Sequence, residues 1–173
     1  MIFGGKQSDG QRTGDIEEYN LKHNQFKTLP FKMPKARSGF AACVKKDEAR
    51  IFFCGGNSGS GQNGAVLRKF DCLDLKKGKW SRLPDMIMKR DELSVAFGPD
   101  QKIYAVGGFG GKPRPQEQAD TANTCLETAE RYCFIKKEWE ELPPMQEARR
   151  ALAAVALPDG IYAIGGYDGR QYL

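Results

Sequence analysis

Side chains that commonly carry out catalysis or bind metals are sparse in this sequence. The only histidine is His23, and one histidine supplies neither a Ser-His-Asp arrangement nor a histidine-based metal cluster. The cysteines are odd in number, irregularly spaced and without a Cys-x-x-Cys pair: Cys43, Cys54, Cys72, Cys125 and Cys133. This pattern argues against a disulfide framework or a zinc site and favours reduced, mostly buried thiols. We therefore expect no catalytic residue, no metal and no cofactor.

One glycine-rich segment has the spacing of a phosphate-binding loop. Residues 59–64 match Gly-x-Gly-x-x-Gly and follow an apolar run that predicts a strand. A phosphate site of this type requires a helix directly afterwards, because the helix N-terminus holds the anion. The sequence that follows, residues 65–70, fits an aromatic strand instead. We interpret the glycines as a flexible loop.

The elements that must position any site come from a repeat. A short apolar run ending in Gly-Gly occurs four times, at residues 1–5, 51–56, 103–108 and 161–166. Successive pairs are separated by 51, 52 and 58 residues. Such runs are typical of strands buried on both faces, and self-similarity at a period of roughly 50 residues predicts a repeat architecture.

Each unit continues in the same order after its glycine pair. A polar loop leads to an aromatic strand, a strand opened by an aromatic residue, a Leu-Pro turn, a methionine and an arginine. The aromatic strands are predicted at 16–19, 67–70 and 127–134, and the strands after the arginines at 38–44, 92–97 and 151–157. Each unit therefore predicts four short strands and no helix.

A four-stranded meander of this length cannot bury both faces by itself, so such sheets must stack on neighbouring copies. Radial stacking gives a β-propeller. The sequence therefore predicts an all-β segment of a β-propeller. We expect aromatic side chains to fill the gaps between adjacent sheets: Tyr19, Phe26, Phe70, Trp80, Tyr132 and Trp139.

The set of motifs resembles kelch repeats. The double glycine, the aromatic residue some 14 positions later, the Trp and the Leu-Pro-x-Met-x-x-x-Arg turn are that family's signature. Residues 142–167 are especially similar to the kelch part of BTB-kelch proteins, and the resemblance covers essentially the whole chain. Departures are Phe26 in place of Trp, Phe70 in place of Tyr, and one extra residue before Arg37.

The resemblance implies four-stranded antiparallel kelch blades, with complete blades at 37–84 and 90–143. A three-strand partial blade is predicted at 1–30 and a two-strand partial blade at 149–173, which makes about three and a half blades. Kelch propellers typically close with about six blades. We therefore expect this incomplete propeller to be completed by further blades of a longer chain or by another copy.

The resemblance also implies that the residues after each Gly-Gly and after each turn arginine face a partner. These are Lys6, Ser38, Asn57, Asp91, Phe109, Arg150 and Tyr167. Two aromatic residues with several donors suit a short peptide that carries carboxylates. The recurring Arg37, Arg90 and Arg149 either tie adjacent blades together or present charge at the axial surface, and we favour the structural role.

The formal net charge of +5 comes from scattered pairs of basic residues, without a long basic block, so we interpret them as polar turns and expect no nucleic-acid partner. The longest apolar run, residues 151–157, is too short to cross a bilayer, and no signal peptide is visible. We therefore expect a cytoplasmic protein without a membrane partner.

The predicted function is a non-catalytic protein–protein interaction module that recruits a peptide or protein partner. The resemblance suggests a substrate adaptor of a cullin-type ubiquitin ligase, and it also allows a cytoskeletal or scaffold role. A sugar mutarotase or isomerase of the propeller family is the enzymatic alternative, and it requires convergent charged residues in the axial channel. The insertion at 109–124 is the most individual feature, and two interpretations stay open: it covers the rim, or it is disordered.

Overall fold

The computed structural model describes residues 1–59, 64–111 and 124–173, and the described chain is built of short strands. The strands are β1 (Ile2–Lys6), β2 (Arg12–Asn20), β3 (Gln25–Thr28), β4 (Ala41–Lys45), β5 (Arg50–Cys54), β6 (Asn57–Ser58), β7 (Ala65–Val66), β8 (Phe70–Asp74), β9 (Lys79–Arg82), β10 (Lys89–Asp91), β11 (Ser94–Phe97), β12 (Ile103–Val106), β13 (Phe109–Gly111), β14 (Thr124–Cys125), β15 (Ala129–Cys133), β16 (Glu138–Leu142), β17 (Ala153–Leu157) and β18 (Gly160–Ile164). A single 3-10 turn, Lys46–Glu48, is the helical element of these described ranges. None of the described segments forms a helix long and apolar enough to cross a membrane.

Two four-stranded antiparallel sheets form the centre of the molecule. The first blade has the strand order β4-β5-β8-β9, and the second blade has the order β11-β12-β15-β16. A three-stranded N-terminal sheet, β1-β2-β3, precedes them, and a C-terminal hairpin, β17-β18, follows. The prediction of an all-β chain made of four-stranded antiparallel blades is confirmed. The residue limits of the partial and complete blades remain predictions.

Several strands begin later than predicted, for local reasons. The aromatic strand predicted at 67–70 starts only at Phe70, because residues 67–69 bond to the glycine pair: the Leu67 amide donates to the Gly56 carbonyl at 2.8 Å. The strands after the arginines start at Ala41, Ser94 and Ala153, because a residue with positive φ precedes each one. That backbone conformation interrupts an extended strand.

The loops after the glycine pairs contain short strands that the sequence did not predict. Asn57–Ser58 pairs with Ala65–Val66, and Phe109–Gly111 pairs with both Lys89–Asp91 and Thr124–Cys125. A strand directly after Gly64 is inconsistent with the helix that a phosphate loop requires. Residues 60–63 of that loop and residues 112–123 of the predicted insertion lie outside the described residues.

The main core lies between the two blades. Phe70, Tyr132 and Trp139 are buried there, with the Phe70 ring centroid 4.9 Å from Tyr132 and 5.0 Å from Trp139. Tyr19 and Phe26 were expected in a similar gap, but their exposures are 38% and 58%. They contact each other across the N-terminal sheet, on a face that no other described sheet covers.

The glycine pairs connect consecutive sheets. The second glycine donates its amide to the carbonyl of the next unit's arginine: Gly5 to Arg37 at 3.1 Å, Gly56 to Arg90 at 2.8 Å and Gly108 to Arg149 at 2.8 Å. The first glycine has a positive φ, and a Cβ on Gly55 would stand 2.2 Å from the Arg90 carbonyl oxygen. No side chain fits at that distance, so the sheet-to-sheet approach requires glycine.

The recurring arginines act within one blade, which corrects the expectation that they tie adjacent blades. Arg90 is fully buried. Its Nε donates to Glu130 Oε1 at 2.8 Å, and its Nη1 donates to the carbonyls of Gly107 and Thr128 at 2.7 and 2.8 Å. All of these partners belong to the second blade. Arg37 likewise bonds Gly55 and Asp71 in the first blade. The contact of these arginines with the preceding unit is made by their backbone: the Arg90 carbonyl accepts the Gly56 amide, and the Arg90 amide donates to the Leu67 carbonyl at 2.9 Å.

Candidate functional site

Six of the seven predicted partner-binding residues form three cross-strand pairs. Ser38 lies opposite Asn57, Asp91 opposite Phe109, and Arg150 opposite Tyr167. Each pair joins the residue after a turn arginine to the residue after a glycine pair, so the repeat places the pairs on one rim. The seventh, Lys6, pairs with Arg12 of the neighbouring strand instead.

The pairs of successive units are linked by backbone hydrogen bonds. The Glu92 amide donates to the Gly39 carbonyl at 2.7 Å, and the Ala151 amide donates to the Glu92 carbonyl at 2.8 Å. Glu92 and Ala151 have φ values of 52° and 50°, in the left-handed region that non-glycine residues rarely adopt. The rim is therefore held in register by main-chain bonds and not by side chains alone.

Ser38, Asn57 and Asp91 form a polar section of this rim. Arg12 donates from Nε to Ser38 Oγ at 3.2 Å and also reaches the Gly59 carbonyl. Burial raises the pKa of the Asp91 carboxyl, although a hydrogen bond from the Asn57 side chain opposes the shift. These side chains are largely committed to one another.

Phe109, Arg150 and Tyr167 form a section with different chemistry. The Arg150 guanidinium carbon lies 5.4 Å from the Phe109 ring centroid and 5.3 Å from that of Tyr167. Arg150 Nη1 donates to Glu92 Oε2 at 3.1 Å. Rings on two sides fix the plane of the guanidinium through cation–π attraction, and about a third of the arginine side chain remains exposed.

Two shallow clefts open on either side of Arg150. One is lined by Phe109, Thr124, Cys125, Arg150, Tyr167, Asp168, Gly169 and Arg170. The other is lined by Glu92, Arg150, Ala151, Tyr167, Arg170 and Tyr172. Asp168 lines the first cleft, and its carboxylate accepts the amides of Arg170 and Gln171 at 2.6 and 2.7 Å. These bonds lower the pKa of Asp168 and keep it ionised.

Sequence reasoning missed three residues of this rim, namely Arg12, Glu92 and Arg170. Glu92 occupies the position that Gly39 holds in the preceding unit and Ala151 in the next, two residues before the strand that follows. An alignment of the three units would have shown a charged residue where the other two units have small ones. Arg12 and Arg170 carry no such signal, because their roles depend on loop geometry.

The other reactive groups are placed for structure. Among the described residues, no group of three or more His, Cys, Asp or Glu side chains could hold a metal ion. Cys43, Cys54, Cys72 and Cys133 are buried free thiols, and burial raises the pKa of Cys43 to about 12. A thiol with so high a pKa is a poor nucleophile at neutral pH.

Antiparallel four-stranded sheets, joined through glycine pairs and carrying paired residues on one rim, define a repeat protein built from propeller-type blades. A family model of the KLHDC2/KLHL20/DRC7 Kelch-repeats domain matches residues 1–166. The chain belongs to the kelch-repeat family.

Curated relatives agree with this assignment. The chain is 28% identical to Kelch repeat-containing protein kel-10 of Caenorhabditis elegans over 177 aligned residues, which cover 99% of this chain and 28% of the relative. It is 32% identical to human Kelch-like protein 28 over 110 residues, which cover 60% of this chain and 19% of the relative. It is 26% identical to Kelch repeat and BTB domain-containing protein 2 of Cowpox virus over 175 residues, which cover 95% of this chain and 29% of the relative. The chain thus spans less than a third of the length of these relatives.

Proposed function

We propose that the chain is a non-catalytic protein-interaction module that binds a peptide segment carrying carboxylates. The proposed contact surface is the rim cluster, defined as Glu92, Phe109, Arg150, Tyr167 and Arg170. Membership of the kelch-repeat family supports an interaction module in general. The observation that supports the peptide class is the Arg150 guanidinium, held between two rings and facing two clefts.

Arginine is suited to this role because its planar fork makes charge-assisted hydrogen bonds with carboxylates. In the rim cluster the guanidinium is oriented before a partner arrives, so binding costs less side-chain entropy. Arg170, which lines both clefts, adds a second positive charge next to it. The two rings provide apolar contact for the residues that flank the acidic side chain.

We further propose that the whole protein recruits a substrate to a cullin-type ubiquitin ligase, and that it acts in the cytoplasm. Relatives that carry a BTB domain in their names support the first part. Free, buried cysteines support a reducing compartment. A scaffold or cytoskeletal role would use the same rim and remains the alternative.

The proposal includes additional blades, from a longer chain or another copy. Its support is the C-terminal hairpin, where Val155, Tyr162 and Ile164 are 42%, 43% and 58% exposed. Gly165 keeps the positive φ of the other first glycines, yet the nearest atom to a Cβ there is the Leu173 carbonyl oxygen at 3.7 Å. A neighbouring sheet at this position would supply the close carbonyl that Gly55 and Gly107 have.

The test is selection of peptides from a random library against the full chain, followed by titration with a selected peptide. We expect selected peptides to share an Asp or Glu, and we expect Arg150→Gln to weaken binding about 10- to 100-fold, as loss of a charge-assisted hydrogen bond implies. Arg131→Gln is the matched control, because Arg131 pairs with Glu140 away from the rim cluster. Its affinity should stay unchanged.

Two results would contradict the proposal. One is a set of selected peptides without enriched carboxylates. The other is equal loss of affinity in the Arg150 and Arg131 variants while both remain folded, because that would assign the effect to net charge and not to the rim cluster.

A further inference from the structure

Three hairpin turns, one from each of three successive sheets, share the same geometry. They are closed by the cross-strand pairs Asn20–Gln25, Asp74–Lys79 and Cys133–Glu138. Each turn has a residue with left-handed φ immediately before its second strand: Asn24 at 53°, Gly78 at 62° and Lys137 at 57°. The repeat therefore places the three turn tips at equivalent positions, and we call them the turn surface.

The turn surface lies at the other end of the sheets from the rim cluster. In the first blade, Cys54 next to the glycine pair lies opposite Phe70, where β8 begins. The turn follows Asp74, where the same strand ends. A partner of the turn surface and a partner of the rim cluster would consequently not compete for the same residues.

Side chains cap two of these turns and give them fixed shapes. The Asn20 side-chain oxygen accepts the amides of Lys22 and His23 at 2.9 and 3.0 Å. The Asp74 carboxylate accepts the amides of Lys76 and Lys77, both at 3.0 Å. In the third turn, the Lys137 amide donates to the Cys133 carbonyl at 2.8 Å. Turns bonded in this way hold their outward side chains at fixed positions.

Each tip exposes an aliphatic side chain next to lysine. Leu21 is 86% exposed, Leu75 is 36% exposed and Ile135 is 93% exposed. They are followed by Lys22, by Lys76 and Lys77, and by Lys136 and Lys137. A polar turn accounts for the lysine pairs but not for aliphatic residues at the tips. An exposed aliphatic residue beside lysines is the pattern of peripheral membrane contact.

We propose that the turn surface docks on an anionic lipid bilayer. The three turns, residues 20–25, 74–79 and 133–138, contain six lysines and two carboxylates, so their charge complements acidic lipid headgroups. Six lysines and the carboxylates of Asp74 and Glu138 leave these turns with a formal charge of +4. Glu138 and Glu140 lie 3.8 and 2.8 Å from Lys136, so the other five lysines carry most of the positive charge available to lipid. The aliphatic tips would enter the headgroup region, and the lysines would remain at its surface. This departs from the expectation of no membrane partner.

The arrangement favours a bilayer over a soluble acidic protein. The aliphatic side chains belong to three separate hairpin turns, one from each of three successive sheets. A flat, laterally fluid surface can contact all three tips at once, whereas a folded partner would need three matching recesses.

The experiment is co-sedimentation of the full chain with phosphatidylcholine vesicles that contain about one third phosphatidylserine. We expect binding at low ionic strength that is lost with phosphatidylcholine alone and weakened by salt. Two variants should each lower the partition coefficient about tenfold or more. One is the triple variant Leu21→Ser, Leu75→Ser, Ile135→Ser, and the other is the double variant Lys76→Gln, Lys77→Gln. Lys32→Gln with Lys35→Gln, which removes the same charge elsewhere, should change it less than about twofold.

Absence of serine-lipid-dependent binding by the unmodified chain would overturn the proposal. It would also be overturned by equal effects of the two lysine variants, since general charge would then explain the binding. A third result would assign the surface to an acidic protein instead. In that result, the chain binds soluble poly-glutamate as tightly as vesicles, and the serine substitutions do not change this affinity. Circular dichroism of each variant confirms that the sheets are intact.

Discussion

Gly55→Ala is expected to lower the free energy of unfolding by about 3 kcal/mol or more, because the added methyl group meets both a left-handed backbone and a close carbonyl oxygen. Gly55 has a φ of 67°, and an added Cβ would stand 2.2 Å from the Arg90 carbonyl oxygen and 3.1 Å from a Leu93 methyl group. The left-handed backbone alone costs about 1–2 kcal/mol for alanine. The overlap must in addition push the two blades apart.

The structure offers two matched controls for this prediction. Gly78 has a φ of 62° but nothing within 4 Å of a Cβ, and Gly165 has a φ of 64° with its nearest atom at 3.7 Å. Alanine at either position should therefore cost only the backbone term, about 1–2 kcal/mol. Urea unfolding followed by tryptophan fluorescence measures all three variants. Equal losses at Gly55, Gly78 and Gly165 would show that the glycine pair is not a contact between sheets.

Arg90→Met is expected to lower the free energy of unfolding by about 3–5 kcal/mol, because it leaves a buried charge without its partner. Both the Arg90 and Glu130 side chains are only 1% exposed. Glu130 also accepts the Ile87 amide at 2.7 Å, so it cannot turn to solvent without breaking a second bond. The guanidinium additionally donates to the carbonyls of Gly107 and Thr128. The buried Gly107 carbonyl would lose this partner, whereas the Thr128 carbonyl would keep its bond from the Gly107 amide.

Arg149→Met is the matched control within the same repeat position. Arg149 donates to the Gly165 carbonyl at 2.9 Å, and its nearest carboxylate, Glu147, is 3.7 Å away and 58% exposed. Arg149→Met should therefore lower the free energy of unfolding by about 1 kcal/mol. The double variant Arg90→Met with Glu130→Gln should be less destabilised than the sum of the two single variants, since the unpaired charge is gone. Strict additivity, or equal costs at the two arginines, would contradict the buried-pair account.

The sequence predicted the parts of the fold that repeat. Apolar runs such as residues 103–106 and the spacing of the glycine pairs indicated strands, sheets and their stacking, because a period is visible without coordinates. The rim strands were missed because elements of two or three residues, such as Asn57–Ser58, have no measurable period. Tyr19 and Phe26 were predicted from sequence equivalence alone, and their burial depends on which sheets are present.

The candidate site was predictable in position and less so in its interactions. Repeat equivalence placed Phe109, Arg150 and Tyr167 on one rim, and the structure puts the Arg150 guanidinium between both rings. Spacing could not reveal whether Arg90 bonds its own blade or the next, because both lie within reach of a long side chain. The role of Glu92 likewise depends on a backbone bond between units that no sequence period encodes.

The most direct test of the central claim, that the rim cluster is the partner-binding surface, is hydrogen exchange of the full chain with and without a selected acidic peptide. We predict slower exchange in residues 149–152 and 166–171, where the amides of Arg150 and Tyr167 bond each other's carbonyls, and no change in residues 74–79. Slower exchange in residues 74–79 would contradict the claim. Unchanged exchange in both 149–152 and 166–171 at saturating peptide would contradict it as well.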